Sequence, residues 1–296
     1  MSKKSSYKAS CPDLSCNSPQ KIKKDGFYFR KNDSRKVQRF KCLSCGKKFS
    51  RSTSQLEYYQ KKRRVNHLLF KLLVSGVSQR RAALVLRINK NTVTRKFYYL
   101  AKKYSLKNRA WLQQIKDRSI FNVQVDDLIT TEHTKLKPLT VCCAVNPQTR
   151  EILGAKVGRI PAFGLLAEKS RKKYGKRENE HPKVLKELFC EISEKLSQNT
   201  LIQSDDHKLY PHIFKLYLPH AQHQTYRGER GCVSGQGELK RVYYDPLFVI
   251  NHTYAMLRAN INRLVRRTWC TTKIKENLQR HLEMYIWYHN HILIKQ

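Results

Sequence analysis

Phe121-Asn-Val-Gln-Val-Asp-Asp-Leu-Ile-Thr130 alternates apolar and polar residues, is rich in β-branched side chains and closes near a pair of acids. Alternation with period two predicts a strand with unequal faces. Working outward, Leu139–Val145 and Glu151–Val157 read as two more strands joined by a turn at Asn146-Pro-Gln-Thr149. A helix is expected from Val184 to about Leu196. Leu201-Ile-Gln-Ser-Asp-Asp-His207 then reads as a short strand that runs into Asp205 and Asp206, and His220–Gln224 as a fifth strand. A last helix is expected from Pro246 to Arg267. Three strands, a helix, two strands and a helix give an α/β domain on a mixed five-stranded sheet.

The chain has 296 residues, 40% of them hydrophobic, with 60 Lys+Arg against 22 Asp+Glu and a formal charge of +38. That length suits two domains or one large domain with small appendages, and the apolar content argues against wholesale disorder. No apolar run approaches the roughly 18–20 residues of a membrane span, and no apolar stretch follows the Lys/Ser-rich start, so a secreted or membrane-spanning protein is not expected. The positive charge runs from Lys3 to Lys295 with Tyr, Phe and Trp interleaved. Such a distribution repels itself unless a polyanion neutralises it, which predicts a nucleic-acid partner and salt-sensitive binding.

Cys11 and Cys16 form one close pair and Cys42 and Cys45 another. Two such knuckles separated by a hairpin-length stretch can set four thiolates around one structural Zn²⁺. Disulfides or free thiols are the other uses of such cysteines, and the four residues inside the first knuckle are more than the usual two. Gly26 and Gly46 suit tight turns, and Phe27, Phe29, Phe40 and Phe49 are expected to supply a small apolar shell. Cys142, Cys143, Cys190, Cys232 and Cys270 lack partner spacing and read as buried small residues.

From Glu57 to Val74 the pattern is helical, with Leu68, Leu69, Leu72 and Leu73 on a stripe. Gly76 ends it, and Ser78 caps a helix carrying Ala82, Val85 and Leu86. After a break at Arg87–Asn89, a further helix turns Val93, Phe97 and Leu100 inward. Its outer face offers Lys90, Asn91, Thr92, Thr94, Arg95 and Lys96. Two short helices across a tight turn, the second with polar and basic residues at its start, predict a helix-turn-helix that binds DNA. Lys102 to Arg118 reads as a basic helical connector.

In a chain so poor in acids, carboxylates at two strand ends stand out. Only one of Asp126 and Asp127 can face a shared site, and likewise only one of Asp205 and Asp206. Hard oxygen ligands converging from separate strands suit Mg²⁺, and two such ions can clamp the attacking and leaving oxygens of a phosphodiester.

The motifs Val125-Asp126-Asp127, Gln203-Ser-Asp205, Asn251-His-Thr-Tyr-Ala-Met-Leu-Arg-Ala-Asn-Ile-Asn-Arg-Leu264 and Arg266-Arg-Thr-Trp-Cys-Thr-Thr272 resemble those of bacterial insertion-sequence transposases, nearest the insertion-sequence-one-like group. The resemblance spans Cys11 to about Asn290. It implies a zinc ribbon (residues 1–52), a helix-turn-helix domain (53–104), a basic linker (105–120) and an RNase H-like catalytic domain (121–296). It further implies a DDE-type site binding two Mg²⁺ or Mn²⁺ ions, with Asp126 and Asp205 as the first two ligands. The third position falls on Asn251 where an acid is usual. Glu238 and Asp245 are nearby acids off that pattern. Arg258 and Arg266 are expected to hold phosphates, and His252 to protonate the leaving oxygen. On the late helix, Ile250, Tyr254, Leu257, Ile261 and Leu264 share an apolar stripe, whereas Asn251, Arg258, Asn262 and Arg266 share another arc.

The function so implied is a DNA transposase. It would bind the terminal inverted repeats of a mobile element as a homodimer or larger assembly, cut at the element's end and transfer the freed 3′-hydroxyl to target DNA. A cytoplasmic, nucleoid-associated location follows from the same resemblance. The alternatives are a non-catalytic DNA-binding regulator or remnant, and a nuclease without strand transfer. Residues 159–186, basic and irregular, are expected to be a DNA-facing excursion.

Overall fold

The computed structural model describes residues 9–31, 34–58, 60–227, 245–265 and 269–295. Glu238, Cys232 and Arg266 lie outside them. The chain divides into two compact units, Met1–Leu69 and Phe70–Gln296.

The first unit holds a three-stranded antiparallel sheet of β1 (Ile22–Arg30), β2 (Arg35–Cys42) and β3 (Lys48–Ser50), in that order. Phe49 is buried and stacks on Phe40 at 5.7 Å. Phe27 and Phe29, expected in the same shell, are exposed; three strands are too few to cover both faces, and the Lys36 ammonium lies over the Phe27 ring at 4.8 Å.

The helix expected from Glu57 begins only at Asn66: α1 spans Asn66–Leu73. Its buried side is Leu69, Phe70, Leu73 and Val74, so the stripe is displaced and Leu68 faces solvent. Ser78 Oγ accepts from Arg81 N–H and caps α2 (Gln79–Val85). Ala82 and Ala83 of α2 are buried while Val85 is exposed, because the small alanines allow the close approach to α3. Asn89 Oδ1 accepts from Asn91 N–H at 2.8 Å and caps α3, which runs unbroken from Lys90 to Gln114. The expected connector is therefore mostly the continuation of one helix. Val93, Phe97 and Leu100 are buried as expected. Lys96, placed on the outer face by sequence, is 5% exposed; it stands three residues past Val93 and four before Leu100, on the inward side.

The main sheet consists of β4 (Ile120–Thr131), β5 (Pro138–Val145), β6 (Ile152–Arg159), β7 (Leu196–Asp205) and β8 (Gln222–Tyr226). Its order is β6-β5-β4-β7-β8, with β4 central. β5 and β6 add antiparallel on one side, β7 and β8 parallel on the other. This is the mixed five-stranded α/β sheet that the order of the elements predicts. Between β6 and β7 lie α4 (Ala167–Tyr174), inside the stretch read as irregular, and α5 (His181–Ile192). α6 (Tyr210–Tyr217) connects β7 to β8. α7 (Phe248–Asn260) and α8 (Lys275–Tyr288) follow. α7 ends seven residues earlier than expected, yet Ile261 and Leu264 remain buried with Ile250, Tyr254 and Leu257.

One face of the sheet, with Val123, Val125, Cys142 and Ile202, packs on Leu185, Leu188 and Phe189 of α5 and on Tyr210, Ile213 and Phe214 of α6. The outer edge of β6 is closed by polar side chains. Gln279 bonds Val157 N–H and Ala155 C=O, and Asn290 bonds Ile152 N–H and C=O. These amides occupy ladder groups that would otherwise template another strand. Among the described residues, no helix is long and apolar enough to cross a membrane.

Where α5 crosses β6, a Cβ on Gly158 would lie 2.9 Å from Val184 Cγ2 and one on Gly154 2.7 Å from Leu188 Cδ1. Gly158→Ala is expected to destabilise the second unit by about 1–3 kcal/mol through overpacking, read as a lower denaturation midpoint in urea.

Candidate active site

β4 presents neighbouring residues to opposite helix layers, and this separates its two acids. Gln124 and Asp126 face α7; Val123, Val125 and Asp127 face α5 and α6. The Gln124 carboxamide is buried and makes three contacts: its Nε2 donates to Pro246 C=O (2.8 Å) and to Gln203 Oε1 (3.2 Å), and its Oε1 accepts from Ile250 N–H (3.0 Å). One side chain thus joins β4, β7 and the start of α7. Farther along α7, Tyr254 donates its hydroxyl hydrogen to the Asp126 carbonyl.

Parallel pairing of β4 with β7 matches Gln124 to Gln203 and Val125 to Ser204. Asp126 and Asp205 are the next residues on the same face as the glutamine pair. β4 itself continues to Thr131, so Asp126 marks the end of the parallel ladder rather than the end of the strand. Asp126 Oδ1 accepts from Asp127 N–H at 2.7 Å. Burial raises its carboxyl to about 7, against that hydrogen bond, with the charge of Asp205 adding to the rise and that of Arg258 opposing it. Burial also raises Asp205, and its Oδ1 has no hydrogen-bond partner among the described residues. Asp206 points out to Arg227 at 3.1 Å.

Two half-buried carboxyls close in register and one orphaned acceptor could hold a hard cation. The donor set of Asp126 and Asp205 fits Mg²⁺ or Mn²⁺.

Asn251, in the first turn of α7, donates Nδ2–H to Asp245 Oδ2 at 2.9 Å, and Asp245 Oδ1 accepts from Leu247 N–H. The structure thereby brings together Asn251 and Asp245, two of the three candidates for a third ligand named from the sequence. Arg258 stands two helical turns beyond Asn251 and is half-buried. His252 is exposed instead, in a cavity lined by Thr149, Arg150, Phe248 and His289, so it does not share the carboxylate site. α7 ends at Asn260, which removes Asn262 from the helical arc expected to continue to Arg266.

Sequence reasoning did not find the surroundings of Asp127. Its Oδ1 accepts from Thr140 Oγ1 (2.8 Å), and its Oδ2 lies 2.7 Å from both Tyr210 Oη and His181 Nε2. His207 packs edge-on against His181 at 4.8 Å. Burial would raise Asp127, but the His181 contact and charge overcome it, with Cys142 and Tyr210 adding to them; its carboxyl is held at about 2. Asp127, Cys142 and His181 form a group that could hold a metal, though both Asp127 oxygens are already engaged.

In the first unit, the Sγ atoms of Cys11, Cys16, Cys42 and Cys45 all lie within 4.8 Å of one another. Cys11 is 3.5 Å from Cys45, and Cys16 is 3.6 Å from Cys42. A disulfide needs about 2.05 Å, whereas the edge of a tetrahedron with Zn–S of about 2.3 Å is about 3.8 Å. Backbone N–H groups of Cys45 and Ser44 bring the Cys42 thiol down to about 7, while burial pushes the Cys11 thiol of the same cluster up to about 12. This four-cysteine cluster can hold a metal ion.

No family model matches the chain, and no curated protein matches it. Solved structures do match; one, described as the crystal structure of the Mos1 strand transfer complex, is 10% identical. The match covers 78% of this chain and 75% of that chain, at a TM-score of 0.31.

Asp127 titrates well below the about 4 of an unfolded Asp. Its ionisation therefore contributes stability that is complete above about pH 4 and is lost as pH falls toward about 2, amounting to about 2 kcal/mol. Asp127→Asn is expected to be less stable at neutral pH and to lose less on acidification, measured by urea denaturation at stepped pH.

Proposed function

We propose that the chain is a DNA transposase, with a divalent-metal strand-cleavage site at Asp126 and Asp205. The observation that carries this reading is the pairing of those two carboxyls on one face of adjacent parallel strands, both raised by burial, one with an orphaned oxygen. Asp126, Asp205 and the Asn251 carbonyl oxygen would hold Mg²⁺ or Mn²⁺, two ions per site. Bound there, the ions would polarise the scissile phosphate and activate the attacking oxygen, water in cleavage and a 3′-hydroxyl in transfer.

The chain's own residues do the positioning. Gln124 seats the start of α7 over β4, and Tyr254 fixes the Asp126 backbone, so the ligand carboxyl does not drift. Asp245 holds the Asn251 amide nitrogen, and the Asn251 carbonyl oxygen would be its donor to a cation. Arg258, whose charge already acts on Asp126, is the residue of α7 suited to a phosphate oxygen. The role of Arg266 stays an inference from the resemblance alone.

In this reading residues 1–52 are a zinc ribbon, residues 53–104 a helix-turn-helix domain, 105–120 a connector and 121–296 the catalytic domain. Lys90, Asn91, Thr92, Thr94 and Arg95 at the start of α3 would contact the element's terminal repeats. Buried Lys96 would support that helix rather than read bases. Two ends must be joined, which favours a dimer or larger assembly on DNA.

A second reading, a DNA-binding protein without catalysis, is favoured by the neutral Asn251 where an acid is usual. Asn251→Asp separates the two. A large gain in cleavage from an inactive start supports the second reading, and little change or a loss supports an evolved Asn ligand.

Asp126→Asn and Asp205→Asn are each expected to lower Mn²⁺-dependent nicking of the gene's flanking DNA by about 10³-fold or more, with DNA affinity changed less than about threefold. Nicking retained in either variant contradicts the site assignment. Elemental analysis is expected to find one zinc per chain. Its removal by a chelator should unfold the first unit and weaken DNA binding, since a module of this size has too little core to fold without metal.

A further inference from the structure

Trp269 is 100% exposed. The other two tryptophans are half-buried; Trp287 stacks on His291 at 3.5 Å, and Trp111 meets the same ring edge-on. A large indole left in water forgoes much of the burial free energy its size offers, and it informs only together with its neighbours.

The segment that follows Trp269 is anchored. Three residues on, Thr272 is fully buried, forms a parallel bridge to Glu132, and accepts His133 N–H at 2.7 Å. The Lys273 ammonium then donates to Thr271 Oγ1 and His133 Nδ1, both at 3.0 Å. The segment carrying Trp269 is thus tied to the turn between β4 and β5.

The same turn anchors a second exposed apolar element. Ser170 of α4 is buried and donates to Leu136 C=O at 2.6 Å, while the Lys137 ammonium lies over the Tyr174 ring at 4.3 Å. On the loop leading into α4, Phe163 is 64% and Leu165 100% exposed. Around these groups the exposed charges are mainly positive, Lys135, Lys169, Arg171, Lys172, Lys173 and Lys273, against Glu168 in the first turn of α4. Glu132, at the turn itself, is neutralised by Arg159 at 3.8 Å and Arg177 at 3.4 Å.

An exposed aromatic face amid cations matches a polyanion that also offers flat apolar rings. We propose that Trp269 is a stacking platform for an unpaired base of a nucleic-acid strand whose phosphates run along α4 and Lys273. A paired duplex hides its base faces, so the platform selects frayed, displaced or single-stranded segments. Glu132 lies six residues beyond Asp126 along the strand direction, about 20 Å away at the rise of a β-strand. This rests on the reading of the chain as a DNA-acting protein and adds a strand-form preference to it.

The test uses the full chain with a labelled single strand of about 12 nucleotides and the blunt duplex of the same sequence. Anisotropy reports binding, and tryptophan emission, taken as wild type minus Trp269→Phe, reports the environment of Trp269. The single strand is expected to quench that difference signal. Trp269→Ala should weaken single-strand binding about tenfold, Trp269→Phe should restore most of it, and duplex affinity should change less than about twofold. Binding of the single strand with unchanged Trp269 emission, or equal affinities for wild type and Trp269→Ala, overturns the platform and leaves the transposase reading standing. Failure of both DNA forms to bind at low salt overturns both. An emission blue shift on phosphatidylserine vesicles without quenching by oligonucleotide overturns the proposal in favour of a lipid surface.

Discussion

The Gln124 carboxamide is the contact on which the candidate site depends. It is buried at the centre of the sheet, and its partners lie on β7, just before α7 and within α7's first turn. A buried amide with an unmet donor or acceptor costs about 1–3 kcal/mol, so these bonds fix both the β4–β7 register and the seat of α7. That register sets Asp126 beside Asp205, and that seat brings the Arg258 charge to bear on Asp126. The tyrosine–carbonyl bond from Tyr254 to Asp126 locks the same arrangement one turn farther on.

Strand alternation then gives two neighbouring aspartates opposite characters. Asp126 has few donors and a second carboxyl nearby, and burial takes it up to about 7. Asp127, one residue later, is surrounded by Thr140, Tyr210 and His181 and held at about 2. The first environment is short of positive charge and the second is already satisfied. In the proposed reading a cation is the partner that Asp126 and Asp205 await, while Asp127 serves to pin the N-terminal ends of α5 and α6 to the sheet.

Strands are the most legible part of the sequence, because short β-branched or apolar segments bounded by turn residues need no long-range information. The clustering of Cys11, Cys16, Cys42 and Cys45 is legible for the same reason: their spacing is local. Helix faces are less so. Around α1 and α2 apolar residues are dense enough to support two stripes, and packing against α3 chooses the one with Phe70 and Ala83 inside and Leu68 and Val85 outside. α8 is absent from the expected elements, although the spacing of Leu278, Leu282, Tyr285 and Ile286 is a helical signal for it. The Asp127 network is not legible at all, since Tyr210 lies 83 residues away and only the fold brings it near.

The central claim is that Asp126 and Asp205 together bind a divalent cation. The most direct measurement is Mn²⁺ binding to the full chain, followed by electron paramagnetic resonance, with Asp126→Asn and Asp205→Asn in parallel. The account predicts saturable Mn²⁺ binding by the wild type that is lost or weakened at least about tenfold in both variants. Wild-type protein that binds no Mn²⁺, or variants that bind it equally well, would contradict it.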